Sequence, residues 1–136
     1  MVAPTPYLHL PGTARDALGT YARVFGGRAV LHTYGDFGRD DGPPDLVAHG
    51  ELVDGPVALF AADVTGEAPA AGGLVLALLG TAEPATLHRW FDGLAEGGVV
   101  VDPLQRRPWG ASDGRVDDPF GVAWLVGYEG DGPAGA

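Results

Sequence analysis

Cysteine is absent from this 136-residue chain. That excludes disulfides, thiolate metal sites and cysteine nucleophiles. Lysine is absent too: all eight basic residues are arginine, against 18 acidic residues, for a net charge of −10. Such a surface repels nucleic-acid phosphates and anionic membranes, so neither is an expected partner, and it favours a cationic ligand. Long apolar runs are also missing; Leu74 to Leu79 is far too short to cross a bilayer. The N-terminal MVAPTPYLHLPG has neither a basic n-region nor an apolar h-region, so no signal peptide and a cytoplasmic location are expected. No GxxxxGK[ST] loop, strand–GxGxxG–helix unit, GxSxG elbow or HExxH pair occurs. No cofactor is therefore expected.

What is present reads as one domain with a repeated plan. Pro6–Leu10 is a short strand, followed by a helix with Thr13 as cap and Asp16 completing a capping-box pattern. Ala14, Ala17, Leu18, Tyr21, Val24 and Phe25 make one helical stripe, stopped by Gly26-Gly27. A strand over 28–34 and a polar loop over 35–45 come next. Leu46–Val53 and Pro56–Asp63 then form a hairpin about Asp54-Gly55. After a linker over 64–72, the order recurs. It runs through a strand over 73–80, a helix with Leu87, Trp90, Phe91, Leu94 and Ala95 on one stripe, the stop Gly97-Gly98, and a strand from Val99. The last hairpin turns at Asp118-Pro119-Phe120-Gly121, where proline suits fixed φ and glycine positive φ. The expected fold is α+β: two βαβββ modules, about 5–63 and 73–128, forming a curled mixed sheet with a concave cup. A disordered tail is expected over 129–136.

The candidate site residues follow from strand alternation. His49 and Glu51 lie two apart and share one strand face; Leu46, Ala48, Gly50 and Leu52 take the face beneath a helix. The pair reads as a ligand anchor, a general base or two ligands of an unconventional metal site, or else as a structural His–carboxylate pair. Tyr7 and His9 share a face of the first strand. His32 with Tyr34 is a weaker parallel, His88 reads as surface, and Asp63 reads as a turn or capping residue. Trp109 and Trp124 bracket the last hairpin and can either stack on a planar or cationic ligand or fill the core.

Four stretches carry a family likeness: PYLHLPGTARDALGTYARVFGG at 6–27, HGEL at 49–52, WFDGLAEGGVVVDPLQ at 90–105, and WG…G…DDPFGVAW at 109–124. Together they resemble the vicinal-oxygen-chelate superfamily of glyoxalases, bleomycin-resistance proteins and extradiol dioxygenases, and within it the PhnB-like branch. The resemblance implies paired βαβββ modules, a homodimer and a site inside the cup. Metal-using members take ligands from four strand positions. Here these fall near Pro6, at Phe60 or Ala61, at Gly73 or Leu74, and at Leu125. Such side chains cannot bind a divalent ion, so no metal is expected at the usual place.

The expected function is therefore metal-independent binding of a small organic ligand, such as a sequestered antibiotic, with Tyr7, His9, His49, Glu51, Trp109 and Trp124 as contacts. The alternative is a metal-dependent glyoxalase- or dioxygenase-like enzyme with a displaced site on His49, Glu51 and His9. A vestigial cup in a structural or regulatory partner is a third class. The branch's methyltransferase label has no support, because no S-adenosylmethionine loop is present.

Overall fold

The computed structural model describes residues 4–67 and 72–130. It divides into two compact units, Met1–Ala70 and Ala71–Ala136. The first contains β1 (Tyr7–Leu10), α1 (Ala14–Phe25), β2 (Arg28–Thr33), β3 (Val47–Val53) and β4 (Leu59–Asp63). The second contains β5 (Leu76–Leu79), α2 (Pro84–Ala95), β6 (Val99–Arg106), β7 (Ala111–Asp117) and β8 (Ala123–Glu129). Each is a βαβββ module, and the expected α+β class holds. The strand orders, β1-β4-β3-β2 and β5-β8-β7-β6, are the same topology. In each module the first strand runs parallel to the fourth and the other pairs are antiparallel.

The helices form where the apolar stripe says they should, because each has one sheet face to cover. Ala14, Ala17, Leu18, Tyr21 and Phe25 of α1 are buried, as are Leu87, Trp90, Phe91 and Leu94 of α2. The two Gly-Gly stops share a second purpose. A Cβ on Gly27 would strike the carbonyl oxygen of Val53, and one on Gly98 the carbonyl oxygen of Asp117. Each helix exit thus passes so close to a strand end that only glycine fits.

Four local expectations are corrected. Thr13 occupies the cap position of α1, but its side chain makes no capping bond and Asp16 is exposed. The cap is Asp63, remote in sequence: its Oδ1 accepts the Ala14 N–H at 2.9 Å and its Oδ2 the Val47 N–H at 2.9 Å. The β3–β4 hairpin is not a two-residue turn, since Leu52 pairs with Leu59 and the loop spans the residues between them. Asp54 does take the left-handed conformation there, with φ 62. β3 also departs from regular alternation. His32 pairs with His49 and Thr33 with Val47, so Ala48 is an extra residue in a bulge. Val47 is consequently buried on the helix side, while Ala48 joins the opposite face. The fourth is the chain end, where Glu129 belongs to β8; residues 131–136 of the expected tail, like 68–71 of the linker, lie outside the described residues.

Gly50 keeps the helix–sheet distance of the first module. A Cβ there would collide with Leu18 Cδ1 and lie 3.2 Å from the Ala61 carbonyl oxygen. Gly50→Val is expected to destabilise the chain by about 1–3 kcal/mol through overpacking, read as a lower urea midpoint. An unchanged midpoint would mean that Leu18 and α1 retreat without cost.

Candidate functional site

With α1 on one face of the first sheet, the other face collects its polar side chains. Tyr7 on β1 is in register with Phe60 on β4, which is in register with Glu51 on β3. Phe60 therefore lies as a floor between β1 and β3, the strands that flank β4. The Tyr7 ring meets it edge-on at 5.6 Å between centroids and the His49 ring meets it tilted at 5.1 Å. Above this floor the Tyr7 hydroxyl lies 2.7 Å from His49 Nδ1, and His49 Nε2 lies 3.0 Å from Glu51 Oε1. The three residues, one from β1 and two from β3, form one hydrogen-bonded chain over the intervening β4. His9 sits beside it, its ring 5.1 Å from that of Tyr7.

Tyr7 opens onto a cavity of about 530 Å³. His9 continues its wall from β1, Ala48 enters from the bulge, and Tyr34 and Arg39 come from the loop after β2. The backbone just beyond β4, through Thr65 and Gly66, closes another side. The Tyr34 hydroxyl donates to the Asp63 carbonyl oxygen at 2.8 Å. Arg39 lays its guanidinium 3.7 Å from the centre of the Tyr34 ring and binds Asp41 through two bonds of 2.9 and 2.6 Å. A planar cation stacked on tyrosine and pinned by a carboxylate makes a stiff wall rather than a free positive charge.

Burial, with the Glu51 charge as a lesser cause, pushes the Tyr7 phenol above its ordinary range. The phenol therefore keeps its proton at neutral pH and acts through hydrogen bonds. Asp63 touches the cavity, but both its oxygens are committed to backbone donors, the capping duty expected of it.

Four expected contacts, Tyr7, His9, His49 and Glu51, are thus gathered on one face of the first module. Trp109 and Trp124 belong to the second. Trp109 is 71% exposed on the turn before β7. Trp124 is 1% exposed, and its indole N–H donates to Asp118 Oδ2 at 2.9 Å, so it packs as core. His32 and Tyr34 do not work as a pair: His32 stacks on Phe37 at 5.8 Å, while Tyr34 lies beyond the end of β2 and turns inward. His88 is not plain surface, for its Nε2 lies 2.8 Å from the Tyr128 hydroxyl. Sequence reading missed Arg39 and Ala48 as parts of this face, named Tyr34 only as a weaker partner of His32, and named Phe60 only as a position where metal-using relatives carry a ligand. Phe60 was accessible, since it alternates with the helix-side residues Leu59 and Ala61; Ala48 was hidden by the bulge.

Leu125, where metal-using relatives would carry a ligand, is in register with Arg115 on β7. An apolar side chain beside a guanidinium does not fit a divalent cation. Among the described residues no group of three or more His, Asp or Glu side chains is placed to hold a metal ion.

Two βαβββ modules, each with a parallel outer pair and a helix on one sheet face, define a repeated-module α+β fold. A family model for the glyoxalase/bleomycin resistance protein/dioxygenase superfamily matches residues 11–126, and the chain belongs to that superfamily. It is 34% identical to protein PA1353 from Pseudomonas aeruginosa, whose crystal structure it matches with a TM-score of 0.78 over 96% of this chain and 100% of the other. The PhnB protein from Bacillus cereus shares the fold, at 20% identity and a TM-score of 0.73 over 96% of this chain and 100% of the other. Protein YjdN of Escherichia coli K12 is 24% identical over 135 residues, covering 90% of this chain and 92% of that protein.

Proposed function

We propose that this protein binds a small organic molecule without a metal, in the cavity of its first module. The carrying observation is that cavity itself, walled by Tyr7, His9, Tyr34 and Arg39 and bordered by the Tyr7–His49–Glu51 chain. Aromatic faces and a few fixed polar groups are what a pocket for a drug-sized organic molecule needs. The absence of donor side chains at Phe60 and Leu125 supports binding without metal, and the net charge of −10 favours a cationic ligand such as an antibiotic. Trp109, exposed on the second module, is not part of this cavity, and Trp124 is assigned to the core. The reading takes the protein to act in the cytoplasm as a homodimer. Among the described residues no helix is long and apolar enough to cross a membrane.

A panel of cationic and aromatic antibiotics is expected to raise the melting temperature. A ligand at one hundred times its dissociation constant adds about 2.7 kcal/mol, equivalent to a shift of roughly 5–10 °C for a domain of this size. A panel that leaves the melting temperature unchanged at millimolar concentrations would count decisively against ligand binding. The metal-dependent alternative rests on the adjacency of His49 and Glu51. Both nitrogens of His49 are already engaged, by Tyr7 and Glu51, so a metal would have to break one of these bonds. Elemental analysis of protein purified without chelators separates the two readings: bound metal near one equivalent supports the enzyme, and its absence the binder.

A further inference from the structure

The hydrogen-bond chain on the open face has a direction, and that direction reaches the cavity. An ionised carboxylate only accepts, so the 3.0 Å contact between Glu51 Oε1 and His49 Nε2 requires the proton on Nε2. A neutral imidazole carries one N–H, which leaves Nδ1 with a lone pair. The Tyr7 hydroxyl, 2.7 Å from Nδ1, must then donate its single proton to it. We propose that Tyr7 consequently faces the cavity as a hydrogen-bond acceptor, its polarity set by Glu51 through His49, and that the ligand carries a donor there, a primary or secondary ammonium before all others.

Three observations support this assignment. Tyr7 is 42% exposed and lines the cavity, so its remaining lone pairs are accessible. Among the described residues no other hydrogen bond to its hydroxyl occurs, so the acceptor sites are not already used. The cationic group in the cavity wall, Arg39, is paired with Asp41, so it does not oppose a second cation as a bare charge would. Glu51, two strands away, adds a negative charge on the same face. An ammonium N–H to a phenol oxygen is a charge-assisted bond, and it is stronger than a neutral one. This inference rests on the reading that the cavity holds a ligand, and its test can fail separately.

Two measurements decide it. In ¹⁵N-labelled protein at pH 8, above the ordinary histidine range, the ring nitrogens of His49 are expected to report a protonated Nε2 and a bare Nδ1. Glu51→Leu is expected to mix the tautomers. For binding, phenethylamine and phenethyltrimethylammonium are matched probes: both are cations with the same ring, but only the first has N–H donors. The wild-type chain is expected to favour phenethylamine by about tenfold, the worth of one charge-assisted bond. Tyr7→Phe is expected to bring the ratio close to one. A His49 with its proton on Nδ1, or equal behaviour of the two probes in the wild-type chain (including no binding of either at millimolar concentration), overturns the inference even if the antibiotic panel is positive. A ratio that survives Tyr7→Phe overturns it as well. A silent antibiotic panel overturns instead the reading of the cavity.

Discussion

Asp63→Ala is expected to lower the melting temperature by roughly 10 °C, through a loss of about 3 kcal/mol. The substitution leaves two backbone donors without partners, Ala14 N–H at the start of α1 and Val47 N–H at the bulge of β3. Ala14 and Val47 are both completely buried, so water does not replace the lost carboxylate. An unsatisfied buried donor costs about 1–3 kcal/mol, and here there are two. The same carboxylate ties the end of β4 to both α1 and β3, beside the backbone carbonyl oxygen that receives the Tyr34 hydroxyl. Loss of Asp63 should therefore also loosen the cavity wall. Asp63→Asn keeps one acceptor but turns an NH2 toward the other backbone donor, and is expected to fall between wild type and alanine. Thermal unfolding followed by circular dichroism checks the order. A melting temperature within 2 °C of wild type for Asp63→Ala, on a loss expected to be several times larger, would show that Thr13 or another residue takes over the cap.

The second large effect is expected at Asp118 in the last hairpin. Its Oδ1 accepts the backbone N–H groups of Phe120 and Val122 at 2.9 and 3.0 Å, and its Oδ2 accepts the Trp124 indole N–H at 2.9 Å. One side chain thus closes the turn and anchors the largest fully buried side chain of the protein. Asp118→Ala is expected to cost about 3 kcal/mol or more. Trp124→Phe removes only the indole donor and some ring volume, and is expected to cost about 1–2 kcal/mol. Because the two residues share a bond, the double variant should lose less than the two single losses combined. Urea unfolding of the four chains forms the cycle, and strict additivity would refute the coupling.

Asp63, at the end of β4, and Asp118, directly after β7, hold different places in their modules and act in unlike ways. Each stands next to, or at the end of, an inner strand of its module. Asp63 reaches back to the first residue of a helix; Asp118 reaches forward into its own turn. The local sequence marks Asp63 as a turn or capping residue and Asp118 as the start of a turn, but it names none of the donors that either one binds. The likeness between modules is one of strand order and glycine stops, not of side-chain bonds.

The stretches of sequence that read correctly are those governed by local or periodic constraints. Apolar stripes placed both helices, and Gly26-Gly27 and Gly97-Gly98 placed their ends, because a helix must bury one face and a close backbone approach tolerates no Cβ. Strand alternation put Tyr7 with His9 and His49 with Glu51, and Asp118-Pro119-Phe120-Gly121 marked the final turn. These follow from the chain's own geometry and need no knowledge of distant neighbours. Tertiary structure alone decided the rest. It brought Tyr7 within 2.7 Å of His49 across the floor of Phe60, assigned the cap of α1 to Asp63, and turned Ala48 into the cavity wall by a single bulge. It also sent Trp124 into the core and left Trp109 exposed. The physical reason is common to all of them. Which donor meets which acceptor depends on strand pairing and register between residues far apart in sequence, and one inserted residue in a ladder reverses the face of every side chain before it.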